Sequence, residues 1–112
     1  ESSRGPAGAP WWQRFWEPCV ACRDEERIGT AGDGGKWVCD PQRLLGGGRP
    51  CAVLSVGSND EFSFELELAG RFGCVVHVYD HTSSPPDLAS SSSPDAVAAG
   101  RLLTFHSTAI GT

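Results

Sequence analysis

The stretch from Cys51 to Asp80, CAVLSVGSNDEFSFELELAGRFGCVVHVYD, allows few folds. Cys51 to Val56 is an apolar run broken only by Ser55, and such runs suit strands buried on both faces, as in parallel sheets. Gly57 ends it. Cys74 to Asp80 is a second run, rich in β-branched Val75, Val76 and Val78, and it closes on an acid. Between them the pattern reads two ways. Phe62, Phe64, Leu66 and Leu68 alternate with Ser63, Glu65 and Glu67, which is strand periodicity. On a helical wheel the same residues form a broad apolar face into which Glu61 and Glu65 intrude. Three features decide for a helix. Ser58, Asn59 and Asp60 are all N-cap residues, and Ser58 with Glu61 fits the S-x-x-E capping box. Gly70 and Gly73 close the segment. Two parallel strands also need a crossover between them. The expected unit is a buried strand, a sharp turn, a helix and a second buried strand, which is half of a nucleotide-binding α/β fold.

Such sheets bind ligands beyond the carboxyl ends of their strands. Here that edge carries Gly57, Ser58, Asn59 and Asp60 after the first strand and Asp80 after the second. Gly57, without a Cβ, lets backbone approach a ligand closely. Asp80 lies 23 residues after Gly57. That is close to the roughly 20-residue offset at which a strand-end carboxylate accepts the hydroxyl protons of a ribose. A dinucleotide is disfavoured, because GxGxxG is absent and Asp60 and Glu61 would repel a pyrophosphate at the helix start. A nucleoside with a cationic tail, such as S-adenosylmethionine with its sulfonium and ammonium, suits this acidic loop better.

The rest of the 112 residues leads into this unit or follows it. Residues 1–10 are rich in Gly, Ala, Ser and Pro and are expected to be a disordered linker. Residues 11–50 form an aromatic and Cys/Gly-rich lead-in. In WWQRFWE, Trp12, Phe15 and Trp16 fall at i, i+3, i+4, so a short helix capping a core is expected, ended by Pro18. Residues 27–40, RIGTAGDGGKWVCD, read as two extended pieces around a turn at Asp33-Gly34-Gly35. Gly35-Lys36 is not a P-loop, since Thr30 stands where the leading glycine belongs and Trp37 where Ser or Thr should hold Mg²⁺. Residues 41–50 read as loop. After Asp80, a Ser/Pro-rich low-complexity insertion is expected over residues 83–94. One helical turn is expected over 95–100, and a third strand over Arg101 to Phe105.

The net charge of −5, with nine Lys and Arg scattered singly, leaves no basic patch to neutralise nucleic-acid phosphates or an anionic membrane. No apolar run approaches the roughly 20 residues of a membrane span. The compartment stays open between the secretory pathway, a membrane-anchored parent and the cytoplasm. Five cysteines is an odd number. Cys19 and Cys22 form a CxxC, but a zinc site wants a second pair, and no histidine precedes His77. If the chain is oxidised, Cys39–Cys51 and Cys19–Cys22 are candidate disulfides.

Four segments together, RIGTAGDGGKWVCD, CAVLSVGSNDEFSFE, VHVYDHT and LTFHSTAIG, make the chain similar to a methyltransferase-domain family that includes methyltransferase-like protein 24. The similarity runs in order from Trp16 to Gly111. It implies a partial Rossmann-like methyltransferase fold, comprising the first strands and the crossover helix, over residues 51–112. It also implies S-adenosylmethionine as cofactor, with Gly57, Asn59 and Asp60 in the cofactor loop and Asp80 as the ribose-binding acid. The insertion after Thr82 departs from the family pattern, and the remaining strands of such a domain do not follow. The expectation is therefore a truncated methyltransferase domain with an unassigned methyl acceptor. His81 is a candidate general base, and His77 and His106 are expected to pack. The competing reading is a non-catalytic module held by disulfides or zinc.

Overall fold

The computed structural model describes residues 21–87 and 99–111. The linker, the aromatic WWQRFWE segment, Cys19 and most of the Ser/Pro-rich insertion lie outside them. The described part is α/β, built from a two-stranded antiparallel hairpin and a three-stranded parallel sheet.

The hairpin comprises β1 (Glu25–Ile28) and β2 (Lys36–Cys39), turning through the expected glycine segment. Gly34 sits at φ 103°, and a Cβ there would collide with the Glu61 side chain. The Arg27 guanidinium ties the turn from inside by donating to the carbonyls of Thr30, Gly32 and Gly35. Residues 41–50, expected as loop, instead begin with a five-residue helix, α1 (Pro41–Leu45). Pro41 occupies the first helical position, where its fixed φ and missing N–H cost nothing. The triple glycine then ends the helix, so the loop is confined to residues 46–50.

The sheet order is β3 (Ala52–Val56), β4 (Val75–Tyr79), β5 (Leu103–His106), all parallel. Between β3 and β4 runs α2 (Ser63–Phe72), so the helical reading of this ambiguous segment is the observed one. It ends on Gly73, in the left-handed region, whose N–H is donated to the Ala69 and Leu68 carbonyls. Residues 99–102 are helical and lead into β5, so the third strand starts two residues later than expected. Phe62, Leu68, Ala69, Val76, Val78 and Ala99 share one core, and the Phe62 ring meets Phe105 edge-on at 6.0 Å.

Helix α2, through Leu68 and Ala69, and the helical turn at 99–102, through Ala99, therefore pack on the same face of the sheet. This follows from topology: right-handed crossovers that step β3 to β4 to β5 in one direction lie on one side. The opposite face carries Leu54, 69% exposed, and Val56, 61% exposed. β3 was expected to be buried on both faces; it is half-buried on one and exposed on the other, and among the described residues it is an edge strand of the sheet.

Ser55, the polar interruption of that strand, faces the core and donates to Oε1 of Glu65 at 2.6 Å. Glu65, which the helical wheel leaves as an intruder on the apolar face, is 2% exposed, and its Oε2 has no hydrogen-bond partner. Helix and hairpin are joined in turn by polar contacts. The Gly29 N–H donates to Glu67 and the Thr30 N–H to the Ser63 hydroxyl, at 2.9 and 3.0 Å. Arg71 bridges Glu67 and Glu26.

Two disulfides are formed, Cys22–Cys39 and Cys51–Cys74, with Cα–Cα separations of 5.4 and 4.6 Å. The expected candidate pairs are thus corrected. Cys39 faces Cys22 because the hairpin ladder puts Glu25 opposite Cys39, and Cys51 lies beside Cys74 because both lead into adjacent parallel strands. Cys22, half of the CxxC, is consumed in a disulfide, which removes it as a zinc ligand.

Mass mapping of the unreduced protein should recover the 22–39 and 51–74 linked peptides. Loops of this size predict a loss of about 3 kcal/mol when Cys51 and Cys74 are both replaced by serine. Gly34→Ala should cost about 1–3 kcal/mol in chemical denaturation, from its positive φ and the Glu61 collision. Gly32→Ala, with open space around it, should stay within about 0.5 kcal/mol.

Candidate functional site

The carboxyl ends of β3 and β4 meet through the residues named from the sequence. The Gly57 N–H donates to the Tyr79 carbonyl at 3.0 Å, continuing the parallel ladder to its last rung. Gly57 has φ 79°, and no atom lies within 4 Å of where its Cβ would be. The chain then reverses tightly. Asn59 and Asp60 have φ 50° and 57°, and the Glu61 N–H donates to the Ser58 carbonyl at 3.0 Å. Positive φ at both central residues marks a turn of the type I′ kind, which Asn and Asp tolerate better than most side chains.

This turn displaces the helix start. The capping box expected from Ser58 and Glu61 does not form: α2 begins at Ser63, and Glu61 instead accepts from the Ser63 N–H at 2.7 Å. Hydrogen bonding by the Ser63 hydroxyl, and then by this N–H, holds the Glu61 carboxyl below the usual carboxylate range. Ser58 is drawn elsewhere. Its N–H and its hydroxyl both donate to Asp80 Oδ2, at 2.7 and 2.9 Å.

Asp80 is the centre of the site. It is 6% exposed and accepts six hydrogen bonds. Oδ2 takes the two from Ser58, one from the Asn59 N–H at 3.2 Å and one from the Ser83 hydroxyl at 2.8 Å. Oδ1 takes the Thr82 N–H at 2.9 Å and the Thr82 hydroxyl at 2.8 Å. Every one of these favours the charged form. The Ser58 N–H, followed by the Thr82 N–H and the Thr82 and Ser83 hydroxyls, holds the Asp80 carboxyl far below the usual range, against the opposing effect of burial.

Of the residues expected at the site, Gly57, Ser58, Asn59 and Asp80 are brought together. Asp60 turns away toward the loop after β4: its N–H donates to the Ser83 hydroxyl at 3.0 Å, and its Oδ1 accepts from the Ser84 N–H at 2.9 Å. Thr82 and Ser83 were not singled out from the sequence. Their signal was present, because short hydroxyl residues two and three places after an Asp bond back to it in turns.

A cavity of about 340 Å³ opens at this edge, lined by Gly57, Asn59, Tyr79, Asp80, His81 and Ile110 among others. His81 is exposed on its rim. His77 and His106 lie on the uncovered sheet face, half-buried, with Nδ1 of one 3.0 Å from Nε2 of the other. His106 stacks on Tyr79, with ring centroids 4.4 Å apart and planes 8° apart. Both histidines are packing residues of that face, as expected. Among the described residues no group of three or more His, Cys, Asp or Glu could hold a metal ion, and no helix is long and apolar enough to cross a membrane.

A family model described as a methyltransferase domain matches residues 3–90. This chain belongs to that methyltransferase-domain family. The match spans most of the chain and includes β1 to β4, α2, the Gly57 turn and Asp80. Neither the curated proteins nor the solved structures contain a match. The parallel three-stranded sheet with its crossover helix is the architecture of a partial Rossmann-like methyltransferase fold, so fold and family agree.

Asp80 has an ordinary pKa of about 3.9 when unfolded and a lower one when folded. Its contribution to stability is therefore complete above about pH 5 and lost progressively as the pH falls from there toward the folded value. Urea midpoints measured from pH 7 to pH 2 should fall across the acid range in the wild type. In Asp80→Asn the midpoint should be lower at pH 7 and the acid limb flatter.

Proposed function

We propose that this domain binds S-adenosylmethionine at the carboxyl edge of β3 and β4 and belongs to a protein that transfers the cofactor's methyl group. The observation carrying this reading is the joining of Gly57, Ser58 and Asn59 to Asp80 beside a cavity, in a chain of the methyltransferase-domain family. The cavity is at the small end of ligand sites, which run from about 300 to 1,000 Å³. Two features of the site support this cofactor. Open space over Gly57 admits a ligand against bare backbone. Asp80 provides negative charge beside it for a sulfonium or ammonium.

In this reading the Gly57–Asp60 turn cradles the nucleoside end and Asp80 accepts from the ribose hydroxyls. When bound, the cofactor supplies an electrophilic methyl on a sulfonium, which passes in line to a nucleophile as the carbon–sulfur bond breaks. The chain's own contribution is orientation and exclusion of water. His81, on the cavity rim, is the residue placed to take a proton from an acceptor.

The domain is further proposed to be the first half, residues 51–112, of a larger sheet. The support is physical: among the described residues β3 has an open edge and turns Leu54 and Val56 outward beside Val75 of β4, an apolar face that further elements of a complete domain would cover. A non-catalytic disulfide-held module is the weaker reading, because the disulfides lie at the amino ends of β3 and β4 and in the hairpin, away from the Asp80 edge.

Calorimetric titration with S-adenosylhomocysteine tests the assignment. Weak binding by the wild-type chain, abolished in Asp80→Ala, is expected. Equal affinity in the two proteins removes the role given to Asp80.

A further inference from the structure

Asp80 carries more donors than it can comfortably accept. An ionised carboxylate offers about four lone-pair sites, yet six N–H and O–H groups of this chain point at its two oxygens. No acceptor capacity remains for a ligand diol while all six are in place. Three of the donors are backbone groups, from the Gly57–Asp60 turn and from Thr82, and the Ser58 hydroxyl belongs to that same turn. The backbone groups are fixed by the fold, and Ser58 is buried. The other two are the hydroxyls of Thr82 and Ser83, which turn about single bonds. One sits on Oδ1 and the other on Oδ2, each at 2.8 Å. Two hydroxyl protons, one on each carboxylate oxygen, is the pattern a bidentate vicinal diol would present.

The segment bearing these hydroxyls is fastened across the site. The Ser83 hydroxyl, while donating to Asp80, accepts from the Asp60 N–H. The Ser84 N–H donates to Asp60 Oδ1. Residues 82–84 thus bind both the strand-end acid and the turn after β3, spanning more than twenty positions of sequence.

We propose that residues 82–84 are an intramolecular strap whose Thr82 and Ser83 hydroxyls occupy the diol positions on Asp80, and that a nucleoside ligand binds by displacing them. The proposal rests on the cofactor reading above and adds its regulation: the apparent affinity is the intrinsic affinity reduced by the fraction of molecules with the strap open. Hydrogen bonds to a charged group are each worth about a factor of ten or more in an equilibrium. The Thr82→Val/Ser83→Ala double variant, which keeps the backbone N–H of residue 82, should therefore bind S-adenosylhomocysteine about tenfold more tightly than the wild type. Ser84→Pro removes the strap's anchor to Asp60 without touching Asp80, and should shift affinity in the same direction.

Calorimetric titrations of the full chain and these variants, each first checked for a cooperative thermal transition, decide the matter. Tighter binding in the folded strap variants supports the strap. Equal or weaker binding, with the wild type still binding, overturns the strap and leaves the cofactor reading standing. Absence of binding in every folded protein overturns both.

Discussion

The carboxylate of Asp80 is the interaction on which the rest of the site depends. A charged group only 6% exposed persists because it is surrounded by donors. Those donors come from two loops that would otherwise be independent. The turn after β3 has three positive-φ residues, Gly57, Asn59 and Asp60, and such backbone persists only where its surroundings over-determine it. Asp80 does so by accepting from two consecutive backbone N–H groups of that turn. The sheet ladder delivers the acid to this position, since the Gly57 N–H bonds Tyr79 and the Asp80 N–H bonds the His106 carbonyl. Sheet register, turn conformation and carboxylate charge are thus one arrangement.

A second junction holds the hairpin to the crossover helix. Gly34 leaves room for Glu61, Thr30 reaches Ser63, and Gly29 reaches Glu67. The DGGK turn and the helix start are adjacent surfaces, although some thirty residues separate them. Glycine at position 34 is required by both its φ and its neighbour. Through Glu61 this junction also bears on the turn that Asp80 organises.

The strands, the crossover helix and the glycine hairpin were legible in the sequence because each leaves a local signal: β-branched runs, a closing glycine at position 73 (Gly70, expected to close the helix too, lies inside it), and a turn rich in Asp and Gly. Asp80 was legible by its offset from Gly57. The failures were contests between partners that local patterns cannot rank. Ser58 had a capping partner in Glu61 by spacing, but a buried carboxylate is the stronger acceptor and lies 22 residues away. Glu65 looked misplaced on an apolar face until Ser55 appeared opposite it. The cysteine pairs followed from strand neighbourhood rather than from proximity in sequence. The short helix at Pro41 was hidden by the glycines that end it.

The uncovered face of the sheet bears on more than the Asp80 site. Leu54 and Val56 point outward from a strand whose backbone edge is open among the described residues, and an apolar edge of this kind templates pairing with another chain. Self-association through β3 would proceed from the folded molecule, without any loss of its core. A single charge placed outward at Leu54 would oppose such pairing while leaving the carboxylate-centred loops as they are.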